Sequence, residues 1–470
     1  MGSLFSALSS AASALQAFQR AVDVTQNNVT NANSPGYAKQ VPIFESLNFR
    51  SGNSLSGGVV EQTQDGRNQY ADSAVRQQLS QQGAYQQLQT SLTPLQNVFD
   101  VSSNSAIPSA LNQLFQSFSQ WSTQPTNPIY QTGVINAARQ TATAFQQASA
   151  QLSNIRGATD QSLQSTVSQV NQDAARIHDY NVKVAQQGGP DPGSKALLES
   201  TLEDLSGLAN VQTLTGVGGT VTVLLGGQTP LVIGTQVNTL QVQSDPSNAL
   251  NGPPNAIIVD STGMDVTGHV TSGSLSALLT VRNSVIPSLG GGGQQVGSLN
   301  TLAQGLADAV NNVLAQGSTT ATPPYQTGVP MFTYTGAPTG VAGSLSVNPA
   351  LTPSQLAPTD PGPPPVSNGI ALQLAGLDSA NSAQINGLNF TQFFGTLTAQ
   401  VGNAVNNATT SATTQSQLVA HAKSLQQQLS GVDINEEAIR LVQLQSSYQA
   451  ASKVVTVIDE LTQTLINMVH

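Results

Sequence analysis

Asn27-Asn28-Val29-Thr30-Asn31-Ala32-Asn33-Ser34-Pro35-Gly36-Tyr37 ends a heptad stripe that starts at Leu4. Upstream, Leu4, Leu8, Ala11, Leu15, Phe18, Val22, Thr25 and Val29 follow one another by steps of four and three. Pro35 lacks an amide donor and pushes Ser34 out of the α region, so a helix on this stripe must stop here. Pro35-Gly36 fits the centre of a type II turn, where glycine takes positive φ at little cost. At the far end of the 470-residue chain, Leu441, Leu444, Tyr448, Ala451, Val455, Ile458, Thr462, Leu465 and Val469 repeat the spacing. Ser430-Gly431-Val432-Asp433-Ile434-Asn435-Glu436-Glu437 precedes them. There Asp433 is placed to cap a helix, Glu436 to reach back as in a capping box, and Glu436 to support Arg440 one turn on. So narrow a stripe cannot cover a globular core, and each helix needs a partner. The simplest solution pairs the two termini, with the chain leaving along one helix and returning along the other. Breaks at Thr25 and Thr462 make a lone pair marginal. The residues alone allow two readings: a clasp closing one monomer, or a surface offered to neighbours.

The segment from Leu15 to Tyr37, with its asparagine-rich run into Ala-Asn-Ser-Pro-Gly-Tyr, resembles the flagellar rod/hook axial-protein superfamily. The stretch from Ser430 to Glu437, with Leu441 and Tyr448-Gln449-Ala450, resembles its matching C-terminal signature. The middle is most similar to the hook-associated branch of that superfamily. This finer match rests on residues 111–121 with Pro125, on Gly273-Ser274-Leu275-Ser276-Ala277-Leu278-Leu279 with Arg282, and on residues 302–317. The resemblance implies a non-catalytic structural subunit of the bacterial flagellum that joins hook to filament and needs no cofactor. Its implied partners are the hook protein below, a second hook–filament junction protein above, copies of itself in a ring, and a cytoplasmic export chaperone on the C-terminal helix. It also implies an extracellular protein exported by the flagellar type III route without a cleavable signal peptide. The assembly interface would comprise Leu4, Leu8, Leu15, Phe18, Val22, Val29, Leu441, Leu444, Tyr448, Val455, Ile458 and Leu465. Asn31, Asn33, Pro35, Gly36, Tyr37, Gly431, Asp433 and Glu436 would form the turn and cap. Another axial protein of the hook or distal rod is the alternative. A secreted enzyme or glycan-binding module on a helical stalk is the remote one.

Composition agrees with a packing rather than a reacting protein. Only 8% of residues are charged, the net charge is −10, and amides and hydroxyls dominate. Few cations and no basic cluster argue against nucleic acid or an anionic membrane as partner. With no cysteine, disulfides, zinc–thiolate sites and thiol nucleophiles are excluded. No stretch is long enough to cross a membrane, and the start lacks the basic region of a signal peptide. Met1-Gly2-Ser3-Leu4-Phe5-Ser6 formally fits a myristoylation pattern, but reads better as the first helical turns. His178, His269, His421 and His470 are scattered, and none has a second histidine at helical spacing. Gly290-Gly291-Gly292-Gly293 lacks the lysine and hydroxyl of a phosphate loop and reads as a turn. No GxSxG elbow and no distinctive carboxylate pair is present.

The fold class expected is mainly α with β inserts: an elongated multi-domain rod with paired N- and C-terminal coiled-coil helices. Residues 1–66 with 430–470 form the terminal coiled coil and connector, flexible in the monomer. Residues 67–215 with 269–316 and 389–429 form a helical rod. Residues 216–268 form an inserted β domain, and 317–388 a second Pro/Gly-rich β/coil lobe. Within the rod, the long helix is expected from Val134 to about Gln187, with a kink or unwinding at Gly157 where its stripe slips phase. The 317–388 lobe, with Pro323-Pro324 and Pro361-Gly362-Pro363-Pro364-Pro365, is expected to be thin and exposed.

Overall fold

A computed structural model describes residues 2–46, 59–100, 106–248, 252–335 and 338–469. Met1, part of the 38–66 connector and His470 lie outside them. The chain opens with α1 (Gly2–Asn31), a hairpin of β1 (Gln40–Ser46) and β2 (Val59–Asp65), then α2 (Gln69–Val98), α3 (Ile107–Thr123), α4 (Pro128–Gln187) and α5 (Pro192–Leu208). Six strands follow: β3 (Val211–Thr215), β4 (Val221–Leu225), β5 (Thr229–Ile233), β6 (Gln236–Val237), β7 (Gln241–Ser244) and β8 (Ala256–Val259). Next come α6 (Gly273–Thr280), a π-helical segment at Val281–Val285, α7 (Ile286–Gly290) and α8 (Ser298–Ala315). β9 (Phe332–Thr333), α9 (Val341–Ser344), β10 (Ser346–Val347) and α10 (Gly369–Gly376) lead to α11 (Phe390–Ser430) and α12 (Ile434–Val469). The architecture is mainly α with small β inserts, as the periodicities imply.

The spine is α4, a 60-residue helix and so about 90 Å long. It starts at Pro128, earlier than Val134, because Asn127 caps the Ile129 amide and proline at the first position loses nothing. Its end is set by Gly188 in the left-handed region. The helix runs unbroken through Gly157, so the expected unwinding is absent. The phase slip has another cause: α4 changes partners there. Up to Leu152 its buried side chains join one core with α3, α8, α10 and the start of α11. From Leu163 onward they join a second core with α5, α6 and the strands. Pro94 likewise leaves α2 continuous.

The antiparallel sheet β3-β4-β5-β6 and the hairpin β7-β8 cover the second core. Gly226 and Gly227, at φ of 58° and 72°, turn β4 into β5. The sheet begins at Val211 rather than Gly216. β3 is an edge strand with Leu214 exposed, so no buried alternation announced it.

Residues 317–388 do not form a thin exposed lobe. Met331, Phe332, Leu345, Ile370, Leu374 and Ile385 are all buried in the first core. Proline and glycine keep this chain irregular, and helix-borne amides supply the hydrogen bonds that a sheet would otherwise supply. Asn311 of α8 donates to the Phe332 carbonyl (2.8 Å) and accepts from its amide (3.0 Å).

The same two-point clasp of an asparagine amide on one residue's N–H and C=O recurs along the fold. Asn171 holds Leu240, Asn181 holds Val221, Asn283 holds Ala256, and Asn28 holds Gln40. In a chain with so few charges, neutral amides do the pinning, and each satisfies buried backbone groups that would be costly to leave bare.

Deleting residues 317–388 should abolish cooperative melting of the body, followed by circular dichroism. Each buried Leu, Ile or Phe lost is worth about 1.5–3 kcal/mol, and together they exceed the usual margin of about 5–15 kcal/mol. An unchanged melting curve would contradict the shared core.

Candidate assembly site

The turn that ends the first helix is built as its sequence suggests. Ser34 accepts from the Tyr37 amide at 3.1 Å, and Gly36 sits at φ of 71°. Asn31 folds its amide back on the Asn27 carbonyl, while Asn33 and Pro35 are exposed. Gly431 ends α11, and any Cβ there would lie 2.4 Å from the Gln427 carbonyl oxygen. Asp433 accepts from the amides of Asn435 and Glu436. The Glu436 carboxylate does not close a capping box; it pairs with Lys39 at 2.9 Å. Nor does it meet Arg440, which instead lies 4.0 Å from Glu437.

α1 packs against α12, and the end of one meets the start of the other, since Asn28 donates to Glu437 at 3.0 Å. The helices are therefore antiparallel. Leu4 and Val469 belong to them, and their side chains lie outside the described residues. Leu444 and Ile458 are buried, while Leu8, Leu15, Phe18, Val22, Leu441 and Val455 are half-buried. Val29, Tyr448 and Leu465 are exposed. The deepest line of α1 is Ala17, Ala21, Thr25 and Asn28, each at most 3% exposed. The cause is the hairpin, which also packs on α1: the Phe18 ring sits 5.4 Å from that of Phe44. Wedged between two neighbours, the helix puts small residues where the approach is closest.

Asn28 is the centre of this joint and is fully buried. Its carbonyl oxygen accepts from the Gln40 amide (2.9 Å) and the Tyr37 hydroxyl (3.0 Å). Its amide donates to the Gln40 carbonyl (2.8 Å) and to Glu437. Every hydrogen-bonding position of that side chain is used. Burial first, then the charges of Glu437 and Asp65, pushes the Tyr37 phenol above its ordinary value, so it stays a donor. Lys39 lies 3.3 Å from the fully buried Glu437. Its backbone amide donates to the Ser430 carbonyl, and the Ser430 hydroxyl accepts from the Asn68 amide, tying the end of α11 to the hairpin and the start of α2.

Arg67 spans the remaining gap, donating to the Gly36 carbonyl and to Asp72, 3.8 Å from Glu199. Burial raises the Glu199 pKa, opposed by Arg76 and aided by the charge of Asp72. Sequence reasoning missed Asn28, Lys39, Gln40, Arg67, Ser430 and Glu437 as a connected set. The available signal was a polar residue, Asn28, three positions beyond Thr25 on the inward face.

Among the described residues, no group of three or more acids or histidines could hold a metal ion, and no helix is long and apolar enough to cross a membrane.

These paired ends define a class. Residues 8–37 match the flagella basal body rod protein family, and residues 414–468 match the C-terminal family of the flagellar basal body rod FlgEFG proteins. Such ends are those of a flagellar axial protein. Between them, residues 92–332, just over half the chain, match the helical domain of flagellar hook-associated protein FlgK, and the chain belongs to that family.

Flagellar hook-associated protein 1 of Bacillus subtilis is 24% identical over 521 residues, spanning 99% of each chain. The protein of that name from Salmonella typhimurium is 23% identical over 317 residues, 65% of this chain and 56% of the relative. The solved flagellar hook junction protein FlgK from Burkholderia pseudomallei shares the fold, with a TM-score of 0.64 at 15% identity. It covers 75% of this chain and 99% of its own. The family is structural, not enzymatic, and assembles with other flagellar axial proteins.

Asn28→Ala should free the terminal pair while the body stays folded. Leaving Glu437 and Gln40 without their partner costs about 3 kcal/mol, so limited proteolysis within residues 38–66 should speed up on the order of 100-fold. An unchanged cleavage rate would show that Asn28 does not hold the joint.

Proposed function

We propose that the chain is a structural subunit at the junction between flagellar hook and filament, built into the axial tube through its terminal helices. One observation carries the reading beyond the family. α12 has a second apolar line, with Ile439, Val442, Val454, Val457, Leu461 and Met468 all exposed, roughly a third of a turn from the line facing α1. A two-helix pair has no use for it. Neighbouring subunits do, since each aliphatic side chain buried contributes about 1.5–3 kcal/mol. The half-buried stripe of Leu8, Leu15, Phe18 and Val22 with Leu441 and Val455 fits the same purpose, as does a surface with little charge to repel a copy of itself.

On this reading, residues 1–66 with 430–470 are the assembling module, loosely held away from the joint in the free chain. Residues 67–215, 269–316 and 389–429 form the rod that carries the β domain at 216–268, and 317–388 completes the rod's first core. The partners are the hook protein below, a second junction protein above, copies in a ring, and an export chaperone on α12 before secretion. The chain leaves the cell through the flagellar export route and works outside it. Neither nucleic acid nor membrane is a partner.

Val455→Asp sets a charge in the seam, and should block incorporation while the melting of the body is unchanged. Normal assembly of that variant would remove the terminal helices from the mechanism. Deleting the gene should leave complete hooks without filaments, and flagellin in the medium, as seen by electron microscopy and an assay of the culture fluid. Missing or malformed hooks would move the chain down the axis to hook or rod.

A further inference from the structure

We propose that Arg67 is a positioning residue that fixes the direction of the terminal module relative to the body. The turn at Gly36 is seated hard on α5: a Cβ there would lie 2.3 Å from the Ala196 carbonyl oxygen. A turn so placed can pivot unless something holds it laterally. Arg67 does so from the link between β2 and α2. One guanidinium nitrogen, Nη2, donates to the Gly36 carbonyl of the turn. The other, Nη1, meets Asp72 of α2 at 3.4 Å and approaches Glu199 of α5 at 3.8 Å. The backbone amide of Arg67 is itself fixed by Asp65 at 3.1 Å. One planar group thus touches the turn and two body helices, and its side chain is only 15% exposed.

The charges around it point the same way. Only 8% of the chain is charged, yet Asp72 and Glu199 are both buried here. Arg76 neutralises Glu199, while Asp72 accepts from the neutral Gln426 and has Arg67 as its counter-ion. Lys423, on the same side, is engaged with Glu203, and Lys195 with Asp65. Buried ion pairs add little net stability, because desolvation offsets most of the attraction; what they supply is geometry. A rigid guanidinium fork holds several acceptors at fixed angles, whereas a lysine ammonium on a flexible stem keeps the charge and loses the angles. Arg67 therefore serves orientation more than folding. For a subunit of a tube, that orientation decides whether the body clears its neighbours once the terminal helices are seated.

The test uses the whole chain. It contains no cysteine, so Gln64→Cys on β2 and Ala175→Cys on α4, both exposed, accept two spin labels cleanly. Their separation is read by double electron–electron resonance. With Arg67 present, one narrow distance is expected. With Arg67→Lys that single distance should be lost to a broad distribution, while the thermal melt of the body stays unchanged, because Asp72 keeps a counter-charge. Three results would overturn the proposal: a broad distribution already with Arg67, a narrow one retained in Arg67→Lys, or a body that no longer melts cooperatively in that variant, which would make Arg67 a residue of stability. The distances report on the lone chain, so their outcome is independent of where in the flagellum it is placed.

Discussion

The side-chain amide of Asn28, closed on the N–H and C=O of Gln40 and on the Glu437 carboxylate, is the contact on which the arrangement of this chain depends. It joins the end of the first helix, the start of the hairpin and the start of the last helix. A methyl-bearing side chain could fill the same volume, but it would leave the Gln40 N–H and C=O without partners and strip Glu437 of its bond from Asn28, with Lys39 remaining at 3.3 Å. The antiparallel pairing of α1 and α12 follows from this one residue more than from the leucines, which are only half-buried along much of the seam. Register is fixed at the joint, where Asn28 is fully buried, while the stripe beyond it keeps much of its apolar surface open.

The asparagine clasp explains more than the joint. Asn181 ties β4 to α4, Asn171 ties the link before β7 to the same helix, Asn283 ties β8 to the π-helical segment, and Asn311 ties β9 to α8. An amide is neutral, carries both a donor and an acceptor, and matches a peptide group point for point. Its hold is insensitive to ionic strength, unlike that of surface ion pairs. A chain rich in asparagine and poor in charge can therefore anchor small sheets and proline-rich segments onto long helices without any large sheet of its own. Charge is concentrated where angle matters, around Arg67, Asp72 and Glu199.

Much of this was legible in the residues, and the parts that were not have identifiable causes. The terminal stripes, the Pro35-Gly36 turn and the Asp433 cap are local, and local chemistry shows in sequence. The strands at Val221–Leu225 and Ala256–Val259 alternate or cluster their apolar residues and were visible for that reason. At Gly157 a slip in hydrophobic phase can mean an unwound helix or a continuous one that changes partners; α4 stays continuous and changes partners. Residues 317–388 were misread because composition reports what a segment cannot do alone. It does not report that Asn300, Asn311 and Gln146 on other helices complete its backbone hydrogen bonds. The set around Asn28 was invisible as a set because its members are hundreds of residues apart, and nothing local distinguishes Glu437 from Glu436.

The most direct measurement is native-state hydrogen exchange on the intact, unassembled chain, resolved to single amides. If the joint holds the terminal module, the amides of Lys39 and Gln40, bonded to Ser430 and Asn28, should exchange orders of magnitude more slowly than those at the far end of α12, around Thr462–Leu465. Exchange at Gln40 as fast as at the end of α12 would contradict the account, because the two helices would then be held by their stripes alone or not at all.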